Sequence, residues 1–477
     1  MQLLPALRLP FCLLLLASVS RAAGLGPCTQ KGLEGAECGL VRVPEDRATP
    51  DGRALDLFVL RLPALGPGPA QGVVFFLAGG PGEAASETVA DLPGALEALR
   101  PRYDLVFLDQ RGTGRSHALS CPAPSPGREL GEISPAEARS CREILEGRAD
   151  LRRYTTWDAV ADLESVRLAL GYGRIVLFGA SYGTQVSQAY IRRHPERVQA
   201  AVLVGAFPLA PESSLFIPRD AERALGLLLQ DCAADTACAK AFPRLSQETA
   251  AVLKRLAAEP VRVTVEDPVT AKPRQVTLDQ PTFARTLRTR LYSAEAAARV
   301  PLALHEAFTG DYRSMARAAL AIAHAQKRNE SLGMFLSVIC SEWAPFLDAE
   351  SVRRLASGTF FGPERTLAWL EACREWPRGD LPADFAAPVR ADLPVLLLSG
   401  RLDPATPPYW GEQVAAFLPN ARQVVFPASS HFPEGGCASA LVARFLDQGH
   451  AAGLDTRCAE TETRPPFALP TGLEASP

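Results

Sequence analysis

Gly179-Ala180-Ser181-Tyr182-Gly183 follows directly on the apolar run Ile175-Val176-Leu177-Phe178, which sets a serine between glycines at the end of a strand-like segment. In a G-x-S-x-G turn the serine is pinched between strand and helix, so its hydroxyl projects into a cleft and the helix N-terminus points there. A Cβ in place of either glycine would collide with the neighbouring strand or helix. The competing reading is a glycine-rich loop that happens to hold a serine, and a pattern with three fixed positions needs partners before it carries weight. A serine hydroxyl is hardly ionised at neutral pH, so it needs a base, and the base needs an orienting acid. The expected chain order is serine, acid, histidine. Asp403 lies just after the apolar run Pro394 to Leu398, and His431 just after Gln423 to Phe426, both at strand ends where that order requires them. In isolation Asp403 reads as a turn carboxylate before proline and His431 as a loop histidine. His450, the other histidine downstream of Asp403, sits in a polar stretch after the last helix and is the weaker base.

Acyl transfer also needs donors for the negative oxygen of a tetrahedral intermediate. The backbone N–H of Tyr182, next after the serine, is one. Leu77-Ala78-Gly79-Gly80-Pro81-Gly82, after an earlier strand, supplies the second, assigned to Gly80. Without the serine turn downstream, this loop would read as a plain Gly/Pro turn.

These residues need a frame to hold them. Short apolar runs at Leu40–Val43, Leu55–Leu62, Val73–Leu77, Leu105–Leu108, Ile175–Phe178 and Ala201–Val204 alternate with helical patterns, the signature of an α/β fold with a mostly parallel sheet. Helices are expected over Asp158–Leu170, behind an N-cap at Thr155 or Thr156, and over Thr184–Arg193. From Phe207 to 389 the pattern turns largely helical, with helices at Ala221–Ala234, Gln247–Ala257, Ala294–Phe308 and Met315–Ala325 and a hairpin near Val261 to Leu278. Strands of the first sheet then return, so this block reads as a helical cap over the carboxyl ends of the strands, where open α/β sheets bind ligands. The core is thus expected over 23–206 and 390–460, and the proline-rich residues 461–477 as a loosely held strap.

The 477 residues are 47% hydrophobic and carry a net charge of −3, with no basic stripe to neutralise phosphates, so nucleic acid is not an expected partner. Arg8, the apolar run Phe11 to Ala17 and the small residues around Ala22 describe an export signal over 1–22, cleaved after Ala22 or one residue later. That run is too short to span a bilayer, and stable membrane insertion is not expected. Removing Cys12 with the signal leaves ten cysteines, which an oxidising compartment would pair. Neighbours along the chain close short loops, giving Cys28–Cys38, Cys121–Cys141, Cys232–Cys238, Cys340–Cys373 and Cys437–Cys458. There is no C-x-x-C pair and the six histidines do not cluster with the cysteines, so no metal site is expected. The serine chemistry requires no cofactor. Localisation is expected to be secreted or periplasmic.

Four pieces together resemble the α/β-hydrolases of the prolyl iminopeptidase and tripeptidyl aminopeptidase group. They are Gly79-Gly80-Pro81-Gly82, Asp109-Gln110-Arg111-Gly112-Thr113-Gly114-Arg115-Ser116, Gly179 to Thr184, and the Asp403 and His431 segments. The Asp-Gln-Arg-Gly-x-Gly-x-Ser run is the most specific of them. Prolyl iminopeptidases commonly have histidine where this chain has Ala78, and glycine where it has Glu83; the export signal and even cysteines are closer to the secreted tripeptidyl branch. The resemblance implies a serine exopeptidase acting on peptide N-termini and an acidic cap residue holding the free α-amino group. Glu342, in Ile339-Cys340-Ser341-Glu342-Trp343, is the candidate, against the plain reading of a surface carboxylate on a cap helix. A carboxylesterase on small acyl esters with the same three residues is the alternative, and a binding protein that retains the fold without activity is a third.

Overall fold

The computed structural model describes residues 24–470 except 30–32, 34, 122–129 and 131, so the leader expected over 1–22 lies outside the described residues. Nine strands form one sheet: β1 (Gly26–Pro27), β2 (Glu37–Pro44), β3 (Ala54–Leu62), β4 (Gly72–Leu77), β5 (Tyr103–Leu108), β6 (Ile175–Ala180), β7 (Val198–Val204), β10 (Val395–Gly400) and β11 (Ala421–Phe426). Their spatial order is β1-β2-β3-β5-β4-β6-β7-β10-β11. The first three strands are antiparallel neighbours, and every pairing from β5 onward is parallel. Alternate residues feed two separate cores: Val73, Phe75, Ile175 and Leu177 face one, Val74, Phe76, Val176 and Phe178 the other. A sheet buried on both faces explains why these strands read as unbroken apolar runs.

Between β7 and β10 lie helices and the hairpin β8 (Val261–Glu266) and β9 (Pro273–Leu278), as expected. This stretch divides between two cores. Residues 221–320, with Phe360 and Phe361, build a core of their own, whereas Met334 to Trp343, Trp369 and Trp376 pack into the main sheet's core. The helix expected over Ala294–Phe308 is two pieces, Ala294–Ala297 and Val300–Thr309. Pro301 starts the second because it has no N–H to continue the first. All five sequential disulfides form. The strap after Cys458 is held more firmly than expected: Phe467 is buried in the cap core, the Ala468 N–H donates to the Ala298 carbonyl at 3.0 Å, and Arg464 pairs with Asp235 at 3.3 Å. No single described helix is long and apolar enough to cross a membrane.

Candidate active site

Ser181 follows β6 directly and has φ 52° and ψ −120°, the left-handed strain of a sharp strand-to-helix turn. Its N–H extends the ladder to the Val204 carbonyl at 2.9 Å, and its carbonyl receives Thr184 Oγ1 at 2.7 Å as the helix Tyr182–Arg193 begins. Gly183 explains the motif. A Cβ there would lie 2.0 Å from the Leu77 carbonyl oxygen, so only glycine lets the helix start pass the end of β4. The Tyr182 N–H, in the first turn, is one of the donors a helix leaves without an internal partner. Its phenol turns away into the core, 2.7 Å from Thr156 Oγ1.

Past β10, Asp403 is fully buried in a turn that saturates it. Oδ1 accepts from the N–H groups of Ala405 (2.7 Å) and Thr406 (2.9 Å), and Oδ2 from Thr406 Oγ1 (2.7 Å). His431 Nδ1 lies 2.8 Å from the same Oδ2. Burial alone would raise the Asp403 pKa, but the attraction of His431 and these hydrogen bonds outweigh it and hold the carboxyl below its usual range. With the Nδ1 proton directed at Asp403, Nε2 is left to act as a base. The imidazole lies against the sheet next to the serine: a Cβ on Gly205, one residue after Val204, would stand 3.1 Å from His431 Cε1. From the cap side Tyr292 closes over it, with ring centroids 4.8 Å apart, and the Tyr292 carbonyl accepts the His431 N–H at 3.1 Å. The structure therefore brings Ser181, Asp403 and His431 to adjacent strand ends. Gly80 sits in the loop after β4, and a Cβ on its neighbour Gly79 would meet Ser181 Cβ at 3.3 Å.

The Asp-Gln-Arg-Gly-x-Gly-x-Ser run is scaffolding for this corner. Asp109 accepts from Ser86 N (2.8 Å) and Arg115 N (3.0 Å), which pins the segment that leaves the Gly79–Gly82 loop. Arg111, wholly buried, makes a bidentate pair with Asp162 at 2.6 and 2.7 Å and donates to the carbonyls of Glu45 and Arg153.

Glu342 is not the open carboxylate expected. It lies in a π-helical turn, buried, and accepts from Thr156 N (2.6 Å) and Thr156 Oγ1 (2.7 Å) behind the Tyr182 side chain. Burial pushes its pKa to about 7 against the lowering effect of those bonds. The acids against the glycine loop are instead Glu83 and Glu330. A backbone bridge joins them, and the Ser331 N–H donates to the Gly82 carbonyl at 2.9 Å. Glu83 Oε2 is 2.9 Å from where a Gly79 Cβ would be, on the loop beside Ser181. Glu83 keeps much of its surface open to water although protein crowds round it. That crowding raises its pKa most, and the attraction of His431 and the Gly79 N–H oppose it. Glu330 is pushed up to about 7 by burial and then by the Glu83 charge, with Arg365 and Arg285 pulling the other way. The one sequence signal for this pair was Glu83 itself, a carboxylate immediately after the glycine loop. A surface hollow of about 690 Å³ lies elsewhere, beside the hairpin and Arg313, and contains none of these residues. Among the described residues no cluster of histidine, cysteine and carboxylates has the arrangement of a metal site.

A serine at a strained strand-to-helix turn, under a histidine held by a buried aspartate, is the corner of an α/β-hydrolase, and the sequence pattern of that fold matches residues 72–433. The chain belongs to the α/β-hydrolase family and is a serine hydrolase. It is 26% identical over 462 residues to the serine protease Hip1 of Mycobacterium tuberculosis, covering 89% of this chain and 87% of that protein. Over 145 residues it is 36% identical to the proline iminopeptidase of Neisseria gonorrhoeae, 30% of this chain and 36% of that one. It is also 30% identical over 187 residues to the tripeptidyl aminopeptidase of Streptomyces lividans, 35% of this chain and 34% of that protein.

Proposed function

We propose that the protein is an exported aminopeptidase that releases one or a few residues, a proline or a tripeptide, from peptide N-termini through an acyl-enzyme. Ser181 Oγ attacks the scissile carbonyl while His431 Nε2 takes its proton, and the N–H groups of Tyr182 and Gly80 receive the oxyanion. The C–N bond then breaks as His431 returns that proton to the leaving amine. Water, deprotonated by the same imidazole, hydrolyses the ester and restores Ser181. Asp403 keeps the imidazole oriented and stabilises its charged form.

The observation that carries the reading is the Glu83–Glu330 pair beside Ser181. Two crowded carboxylates repel each other and share a demand for a cation, and a protonated α-amino group next to the scissile bond supplies one. The protease and aminopeptidase relatives support the same reading. Export is supported by the leader-like N-terminus and by five disulfides, which persist in oxidising compartments. The deciding experiment compares peptides with free and acetylated N-termini. Free amines are expected to be turned over at least tenfold faster in kcat/KM; equal turnover, with faster cleavage of simple acyl esters, makes the protein an esterase.

A further inference from the structure

Arg288 is buried, 8% exposed, and among the described residues its guanidinium makes no hydrogen bond and no ion pair; Nε is shielded from water with no partner. Buried charges are normally paired, because an unpaired one forfeits its hydration without return. Arg111 shows how this chain saturates a buried arginine when the role is structural. Arg288 instead stands over two rings, 5.2 Å from the centroid of Tyr292 and 5.4 Å from that of Phe361. Such stacking fixes the plane of the guanidinium but leaves its N–H edge unsatisfied. Asp220 is an acid whose charge bears on Arg288, but both its oxygens are engaged, one by the Tyr409 hydroxyl and the other by Trp410 Nε1 at 3.1 Å.

The position of Arg288 gives this vacancy a direction. Tyr292, one helical turn on, is the residue that covers His431, so Arg288 stands one ring away from the imidazole on the cap side. The imidazole protonates the departing amine, so the leaving group must pass on its side of the cleft. Glu83 reaches the same site from the glycine loop after β4, not from the helix that carries Arg288. We propose that Arg288 is a subsite for a carboxylate carried by the leaving group: the C-terminal carboxylate of a short peptide, or an acidic side chain just beyond the scissile bond. This rests on acyl transfer by Ser181 and His431 as read above. With an acidic pair against the glycine loop and an arginine on the cap helix, the site is matched to short zwitterionic peptides, and the planar fork of arginine suits a carboxylate in bidentate fashion.

The test uses the whole enzyme and pairs of substrates. One pair is a short peptide with a free C-terminus and its C-terminal amide; the other is a C-terminally amidated peptide with Asp or Asn after the scissile bond. The carboxylate member of at least one pair is expected to be favoured by about tenfold in kcat/KM, which is about 1.4 kcal/mol. Whichever pair responds identifies the source of the carboxylate. Arg288→Met should bring that ratio close to one and Arg288→Lys should retain part of it. A change in the ratio is not something a merely structural arginine produces. Wild-type ratios near one in both pairs, or a ratio that survives Arg288→Met, overturn the proposal. If no peptide is cleaved, the peptidase reading has failed but this one is still decided by acetyl esters of 4-hydroxybenzoate and 4-hydroxybenzamide: the ratio of the two must change in Arg288→Met, and an unchanged ratio overturns it.

Discussion

Two sets of side chains around Ser181 are built on opposite rules. At the carboxyl edge of the sheet, Asp403 accepts from Ala405, Thr406 and His431, and burial has been fully answered by hydrogen bonds. Around it, Glu83 and Glu330 are crowded carboxylates whose charges repel, and Arg288 Nε has no partner. A group whose hydrogen bonds are complete can hold a geometry; a group whose bonds are incomplete can hold a ligand. On the proposed mechanism, the reacting corner belongs to the sheet and substrate selection to the surfaces around it.

Substitutions on the sheet side should have the largest effects. Ser181→Ala is expected to lower kcat by about 10⁴ to 10⁶-fold and to abolish labelling by a fluorophosphonate, with the melting temperature nearly unchanged. Asp403→Asn should cost about 10⁴-fold in kcat, because the amide no longer imposes the Nδ1–H tautomer on His431. A smaller loss in Asp403→Asn than in Glu330→Gln would invert the contrast between the two sets.

Glu330→Gln comes next. It should weaken kcat/KM for free-amine peptides by about 10 to 100-fold, since hydrogen bonds to charged groups contribute about 1.5–3 kcal/mol, and leave N-acetylated substrates within about threefold. The pH profile sharpens this. The Glu330 pKa is raised to about 7, so acidification through that value neutralises it and discards its attraction for an ammonium group. Wild-type preference for free over acetylated N-termini should thus fall as pH drops through about 7. A preference that stays flat between pH 6 and 8 would remove Glu330 from substrate binding.

The smallest effect on turnover is expected at Glu342, which lies behind the Tyr182 side chain: Glu342→Gln should stay within about threefold of wild type. Its signature is in stability. The folded-state pKa, about 7, is above the value near 4.3 of an unfolded glutamate, so the unfolded chain ionises first and Glu342 lowers stability as pH rises from about 4 to 7. Unfolding free energies from denaturant titrations at pH 5 and 8 should show a smaller pH difference in Glu342→Gln, by on the order of 1–3 kcal/mol. An unchanged difference would mean that Glu342 ionises as easily folded as unfolded.

The sheet side was legible in the sequence because its logic is one-dimensional. A strand announces itself by an apolar run, its end by a turn residue, and Ser181, Asp403 and His431 each follow such an end. The disulfides were legible for a similar reason, since each joins neighbouring cysteines. The other set was not. Glu83 and Glu330 are far apart in the chain and meet only because Ser331 bridges to the Gly82 backbone, a contact that no local pattern encodes. Arg288 lies in the helix Gln280–Arg290, whose polar composition gave no helical signal, and its missing partner is a property of the folded surroundings alone. Glu342 misled because an acid in the cap segment was expected to face the cleft, whereas its helix packs into the sheet's core.

The docking of the C-terminal strap also has a consequence in time. Phe467 fills a place in the core formed by residues 221–320, so this core is completed by a residue far downstream of it. A ribosome delivers these parts in sequence order, and the core of residues 221–320 must wait, with one apolar socket open, until Phe467 has emerged. A chain interrupted between His431 and Phe467 carries all of Ser181, Asp403 and His431 yet lacks the side chain that completes the core of residues 221–320.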